Sequence, residues 1–361
     1  MILKQFIPEA YTQSPEKGYV SWRSPSNIAL VKYWGKHGEQ LPKNTSISFT
    51  LSNCATETIL KFQRKEGADF DFQVLLDGKR EANFEPKIEQ FFSRIEAYLP
   101  FLRNYSFTIE TSNSFPHSSG IASSASGMSA LACCLMQMER MMVASDISEG
   151  LFNQRASFLA RLGSGSASRS IEGPLVVWGE HSDIEGSSNL FGVKFDDEVH
   201  ENFSNYQDTI LLVDKGEKVV SSTAGHDLMH NHPYAAQRFE EANRNISRIK
   251  EILKTGDLKE FIEIVESEAL QLHAMMMTSM PYFILMKPNT LEIINKIWKF
   301  RKETNSNACF TLDAGANVHL LYPEIEKTTV HQFISEELAQ YCKNGEYIHD
   351  FTGNGASELK V

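Results

Sequence analysis

Cysteine is scarce and positive charge is outnumbered in this 361-residue sequence. The five cysteines (Cys54, Cys133, Cys134, Cys309, Cys342) are odd in number and lack paired metal spacing. That excludes a disulfide-built scaffold and points to reduced thiols in a cytoplasmic protein. Lys and Arg number 35 against 46 Asp and Glu, a formal net charge of -11. Such a balance argues against nucleic acid or an anionic membrane as a general partner. No apolar run is long enough to span a bilayer, and Met1–Phe6 does not open a signal-peptide stretch. Two phosphate-binding patterns are also missing. No Gly-Lys-Ser/Thr follows a glycine loop, and G-x-G-x-x-G does not occur. There are no internal repeats and no low-complexity tracts. The composition is 42% hydrophobic and 22% charged, that of a globular protein with real cores, and the length suits two ordinary domains.

The stretch from Phe115 to Gly127 (Phe-Pro-His-Ser-Ser-Gly-Ile-Ala-Ser-Ser-Ala-Ser-Gly) is small, polar and glycine-punctuated. It runs into a segment where Met128, Leu131, Ala132, Leu135, Met138 and Met142 recur at helical spacing, to about Val143. Ser123 and Ser124 sit where a helix N-cap would fall. A loop without bulky side chains lets backbone N–H groups reach an anion, and the helix terminus adds partial positive charge. The stretch therefore reads as a phosphate cradle, with a Ser/Ala/Gly linker as the alternative when it is taken alone.

Residues 1–25 read as an irregular lead-in. Asn27–Lys36 reads as a strand closed by a glycine turn, placing Ile28, Leu30, Lys32 and Trp34 on one side. A lysine following two apolar residues on one face is expected to point inward and to need a partner, whereas Lys36 alone suits solvent. Strands are expected at 44–52, 57–63, 105–110 and 174–178, a hairpin at Asp77-Gly78, and helices at 86–99 and 148–162. Gly163–Ser170 is a second Gly/Ser loop with Arg169 inside it, a fork suited to a carboxylate or phosphate. Residues 181–206 look irregular. A strand is expected at 208–214, with a domain boundary close after it and a Lys/Ser loop at Lys215–Thr223. Helices follow at about 232–254, 257–274 and 289–303, with Met275-Met276-Met277 as core filler. His226, His230 and His232 have no zinc spacing and read as surface residues. Asp313 lies where an apolar strand breaks into Ala-Gly-Ala, so it is either a turn former or a carboxylate with room for a ligand beside it.

Four segments in order resemble the mevalonate diphosphate decarboxylases of the GHMP kinase superfamily. They are Asn27–Lys36, the Phe115–Gly127 loop, Gly163–Ser170, and Asp313-Ala314-Gly315-x-Asn317. Lys215–Thr223 and the helix ending at His273 are similar to further family segments. The resemblance implies an α+β, two-domain GHMP kinase-like fold. Residues 1–215 would form a ribosomal-protein-S5-like mixed sheet domain, and 216–361 a ferredoxin-like α/β sandwich supplying the catalytic Asp. It implies ATP-dependent decarboxylation of mevalonate 5-diphosphate to isopentenyl diphosphate through 3-hydroxyl phosphorylation, with ATP and Mg2+ as cofactors, in a cytoplasmic homodimer. Asp313, Lys32 and Arg169 would be catalytic. Tyr33, Lys36, Ser164, Ser166, Arg169 and Ser222 would hold the substrate. The loop residues Pro116, Ser118, Ser119, Gly120, Ala122, Ser123 and Ser124 would cradle ATP, with Ser123 or Ser124 near the metal. The alternative is a 3-hydroxyl kinase or decarboxylase acting on mevalonate or 5-phosphomevalonate. The sequence departs from the family in its Pro-His-Ser-Ser-Gly-Ile loop, in Ala316, and in Thr352-Gly353-Asn354-Gly355.

Overall fold

A computed structural model describes residues 3–8, 10–116, 121–214 and 222–360. Two sheets organise the chain. The first contains β1 (Lys17–Val31), followed by the small ribbon β2 (Lys36–His37) and β3 (Leu41–Pro42) outside it, then β4 (Ser46–Arg64). The hairpin β5 (Asp71–Leu76) and β6 (Lys79–Arg80) turns at Asp77-Gly78 as expected, and α1 (Glu85–Ile95) leads to β7 (Tyr105–Asn113). Tyr105, Phe107 and Ile109 alternate inward, and α1 answers with Ile88, Phe91, Phe92 and Ile95 on one stripe. Against this sheet lie α2 (Ser123–Arg140), buried over most of its surface, and α3 (Glu149–Gly163), capped by the Ser148 hydroxyl. β8 (Leu175–Trp178) and β9 (Gly192–Lys194) extend the first sheet along the N-terminal end of β4. Among the described residues only β5 and β7 pair in parallel; the other pairs of this mixed sheet are antiparallel.

β1 begins ten residues earlier than the hydrophobic pattern suggests. Ser21, Ser24 and Ser26 are buried in it, and each spends its hydroxyl on a backbone carbonyl: Leu359, Ser170 and Ile121 respectively. The two expected strands at 44–52 and 57–63 are one, β4, because its partners change along its length: β8 beside Ser46–Phe49, then β7 beside Thr56–Arg64.

The second sheet takes β10 (Gln207–Leu211) before a short α4 (Ser222–Asp227) and the long helices α5 (Ala235–Thr255), α6 (Leu258–Met277) and α7 (Pro288–Thr304). β11 (Cys309–Thr311), β12 (Val318–Tyr322), α8 (Lys327–Phe333) and β13 (Tyr347–Phe351) follow, and β14 (Ser357–Glu358) returns to pair with β1. The order is β11-β12-β10-β13, antiparallel throughout. The strand at 207–211, read from sequence as the end of the first domain, thus hydrogen-bonds within the second sheet, ahead of the expected 215/216 division. The halves are not independent. One core joins Ile28, Leu30 and Phe49 of the first sheet to Ile246, Ile249 and Phe261 of the helices covering the second. Asp350 of β13 is buried and accepts the backbone N–H groups of Ser52, Asn53 and Cys54 at 2.9, 2.7 and 2.7 Å. Such charge-assisted bonds are the strong kind, and they tie β13 to β4. No helix among the described residues is long and apolar enough to cross a membrane.

Candidate active site

β1 leaves its sheet at Val31 and delivers Lys32-Tyr33-Trp34 to the seam between the halves. Gly35 turns the chain away with φ of +95°, and a Cβ there would lie 2.7 Å from Phe239 Cζ. Only glycine combines that backbone with that approach. Lys32 is 1% exposed, and its Nζ lies 3.1 Å from Asp313 Oδ1, so the inward lysine finds its partner across the seam. Burial pushes the Lys32 ammonium below the ordinary lysine value, opposed by Asp313 and then by Glu268.

Asp313 follows β11, with its side chain 30% exposed. The turn is held by backbone: the Asp313 carbonyl accepts from Gly315 N at 2.7 Å and from His273 Nε2 at 3.1 Å. A carbonyl can only accept, so the His273 proton sits on Nε2. Burial pulls the pKa of His273 down to about 4, which keeps the ring neutral at pH 7. The carboxylate meets Lys32 at the seam.

Arg169 lies in the loop after α3, 3% exposed. Its Nη1 donates to Ser46 Oγ and its Nε to Asn27 Oδ1 at 3.4 Å, while its guanidinium stands 5.9 Å from the Trp178 ring. Burial draws its pKa down to about 10, with Asp313 the largest opposing charge, so it stays a cation at neutral pH. Gly165 lets this loop close down: a Cβ would meet Trp178 at 2.8 Å and the Tyr33 hydroxyl at 3.0 Å. Ser164 and Ser166, both half-buried, flank it.

The Tyr33 ring lies 4.7 Å from Trp178 and 4.3 Å from His226, and His226 also lies 4.5 Å from Trp34. The reading of three surface histidines is corrected here: His226 and His232 are buried, and of the three only His230 is exposed. His226 Nδ1 accepts the Gly35 N–H at 2.9 Å, and burial, with Lys36 and Arg169 nearby, drives its pKa to about 3. Lys36 is half-buried and its ammonium is likewise lowered by burial, against the pull of Asp227. Ser222 begins α4; the rest of the expected Lys/Ser loop, 215–221, lies outside the described residues, as do Ser118, Ser119 and Gly120 of the cradle.

Of the cradle, Pro116 and Ala122 are half-buried. Ala122, not a serine, is the N-cap of α2, in the left-handed region (φ 46°), and no side chain caps the helix. Ser123 and Ser124 are therefore first-turn residues; the Ala125 and Ser126 N–H groups bond to the Ala122 carbonyl, and a helix N-terminus of this kind favours an anion. A cavity of about 170 Å³ opens beside them, lined by Thr58, Phe84, Lys87, Ile109, Ser124 and Met128 among others. Lys87 Nζ donates to Ser124 Oγ at 3.1 Å. Cradle and Arg169 loop hang on adjacent residues of β1, because Ser26 Oγ holds the Ile121 carbonyl at 2.6 Å while Asn27 holds Arg169. Asn27, Ser46, Lys87 and His273 were not singled out as site residues by sequence. Only Asn27 and His273 gave any signal, each at the edge of a recognised segment.

Comparison with known proteins finds one family along both halves of the chain. The family described as diphosphomevalonate decarboxylase-like N-terminal domain matches residues 24–189, and the mevalonate 5-diphosphate decarboxylase C-terminal domain matches 209–359. The diphosphomevalonate decarboxylase of Ganoderma lucidum is 29% identical over 325 residues, covering 83% of this chain and 77% of its own. The crystal structure of mevalonate diphosphate decarboxylase from Staphylococcus aureus superposes with a TM-score of 0.81 at 27% identity, covering 95% of this chain and 98% of that one. A structure of MDDEF in complex with MVAPP, AMPPCP and magnesium has a TM-score of 0.80 at 26% identity, with 95% and 100% covered.

Proposed function

The chain belongs to the diphosphomevalonate decarboxylase family, and we propose that it converts mevalonate 5-diphosphate and ATP to isopentenyl diphosphate, ADP, phosphate and CO2. The observation that carries this reading is the meeting of Lys32 with Asp313 across the seam, with Arg169 close enough to feel the same carboxylate. A tertiary alcohol is a poor leaving group. Phosphoryl transfer from ATP converts it to a phosphate ester. The electrons of the breaking C–CO2 bond then form the double bond and expel phosphate. Asp313 takes or orients the hydroxyl proton, Lys32 offsets the negative charge gathering between ATP and the alcohol, and Arg169 clamps the substrate carboxylate. Tyr33, Lys36, Ser164, Ser166 and Ser222 hold the carboxylate or diphosphate.

The cavity beside α2 suits the nucleotide base, and the first turn of α2 suits its phosphates, together with Pro116 and the loop through Ser118, Ser119, Gly120 and Ala122. No group of three His, Cys, Asp or Glu that could hold a metal ion occurs among the described residues. That fits Mg2+, which keeps waters and substrate phosphates as ligands and needs only one or two protein oxygens. Ser123 or Ser124 would supply them; when bound, the ion would neutralise phosphate charge.

Incubation with ATP and each of mevalonate, its 5-phosphate and its 5-diphosphate tests the assignment. CO2 and ADP should form in equal amounts with the 5-diphosphate. ADP without CO2 would replace the decarboxylase reading with the kinase alternative, and turnover restricted to mevalonate or its 5-phosphate would assign a kinase or decarboxylase acting on that substrate. A cytoplasmic location is supported by five buried, unbridged thiols. The exposed apolar side chains of Met280, Tyr282 and Ile284, 81, 71 and 66% accessible, support a homodimer. Sedimentation velocity should give twice the chain mass, and a monomer at micromolar concentration would remove that assignment.

A further inference from the structure

The Lys32 main chain is gripped as closely as its side chain. Its N–H donates to Glu268 Oε2 at 2.8 Å, and its carbonyl accepts from Asn44 Nδ2 at 3.0 Å and from Arg238 Nη2 at 3.5 Å. Glu268 of α6 also accepts from Arg238 of α5 through the same oxygen, and its Oε1 accepts from Asn245 Nδ2 at 2.7 Å. The Glu268 side chain is fully buried and that of Arg238 is 4% exposed.

Stability alone is a poor reason for this pair. Desolvating two charges is costly, and apolar residues of similar volume often serve as well or better. Here the compensation is incomplete, since Arg238 Nε and Nη1 make no hydrogen bond among the described residues. What an apolar pair could not do is take the Lys32 N–H and return a donor to its carbonyl. A second feature of α6 points the same way. Five residues beyond Glu268, His273 donates to the Asp313 carbonyl. One helix therefore holds the backbones of both members of the Lys32–Asp313 contact.

We propose that the buried Arg238–Glu268 pair is a positioning device: it fixes the Lys32 backbone on α6, which carries Asp313 through His273, and so sets the separation of ammonium and carboxylate. Arg238 and Glu268 touch no reactant and act through Lys32. The inference rests on the catalytic role assigned to Lys32 above.

The test is the apolar double variant Glu268→Leu/Arg238→Met, compared with Glu268→Gln and Lys32→Met. The double variant should fold with a lowered Tm, because the Lys32 N–H and the Asn245 amide lose their acceptor, and should keep KM values within about threefold. Its kcat should fall about 10²-fold, the scale expected when a reacting group shifts by about 1 Å. Glu268→Gln retains an oxygen that accepts the Lys32 N–H and should recover most of that loss. Should the double variant not fold, Glu268→Asp takes its place. It keeps the charge beside Arg238 but withdraws the acceptor by one methylene, and the same fall in kcat at unchanged KM is expected. Parental kcat in either folded variant, with kcat of Lys32→Met lowered, overturns the positioning role and leaves the function standing. Parental kcat in Lys32→Met overturns the role of Lys32 itself.

Discussion

Asp313→Asn should slow phosphoryl transfer by about 10²-fold or more while both substrates continue to bind, the usual consequence of losing a general base. Asparagine matches the volume and can still accept from Lys32 Nζ, now 3.1 Å away, but it carries no charge and almost no basicity. Gly315 N and His273 Nε2 both bond to the backbone carbonyl, and asparagine keeps those two bonds. Nucleotide binding should persist as well, since the first turn of α2 and its cavity are built from other elements. The measurement is single-turnover formation of ADP and CO2 at saturating ATP and mevalonate 5-diphosphate. If Asp313 were only a turn former, asparagine would serve equally and the rate would stay near that of the parent.

The same carboxylate shows how far the residues alone could be read. Lys32, Arg169 and Asp313 were each legible because each breaks a local rule: a lysine on an apolar strand face, an arginine in a Gly/Ser loop, an aspartate where a strand dissolves into small residues. Chemistry that violates the surrounding pattern is visible in one dimension. The support behind it was not. Glu268 and Arg238 sit on helices expected from sequence, where nothing sets them apart from the other charges, and only the fold shows them buried against the Lys32 backbone. The same limit applied to secondary structure. Serines hid the first ten residues of β1, since a buried hydroxyl satisfied by a distant carbonyl looks like loop polarity in sequence. Ser123 and Ser124 looked like caps, but a left-handed Ala122 starts the helix and moves both hydroxyls into its first turn. His226 gave no signal, because what buries it is the packing of Tyr33 and Trp34 against it.

Lys32→Met should cost about 10²- to 10³-fold in kcat, the range seen when one preorganised charge or donor is removed from a transition state. The methionine fills the space of the aliphatic stem, and Glu268 still receives the backbone N–H, so the fold should survive. A pH profile separates charge from shape. Burial lowers the Lys32 pKa below that of a free lysine, while Asp313 and Glu268 hold it up and Arg169 pushes it further down. His273 at its side is already neutral, and Asp208, which also feels Lys32, is buried against His319. If the ammonium is the working form, kcat must fall as pH rises through that lowered pKa, on the alkaline side and earlier than an ordinary lysine would dictate. Lys32→Arg supplies the control. A guanidinium starts from a higher pKa than an ammonium, so the alkaline limb should move up toward the titration of Arg169 at about 10, even though its fork fits the position less well and the plateau rate drops. An alkaline limb that stays in place in Lys32→Arg would assign the titration to another group and leave Lys32 a structural cation. A limb that moves would identify its charge as the one that phosphoryl transfer to the 3-hydroxyl uses.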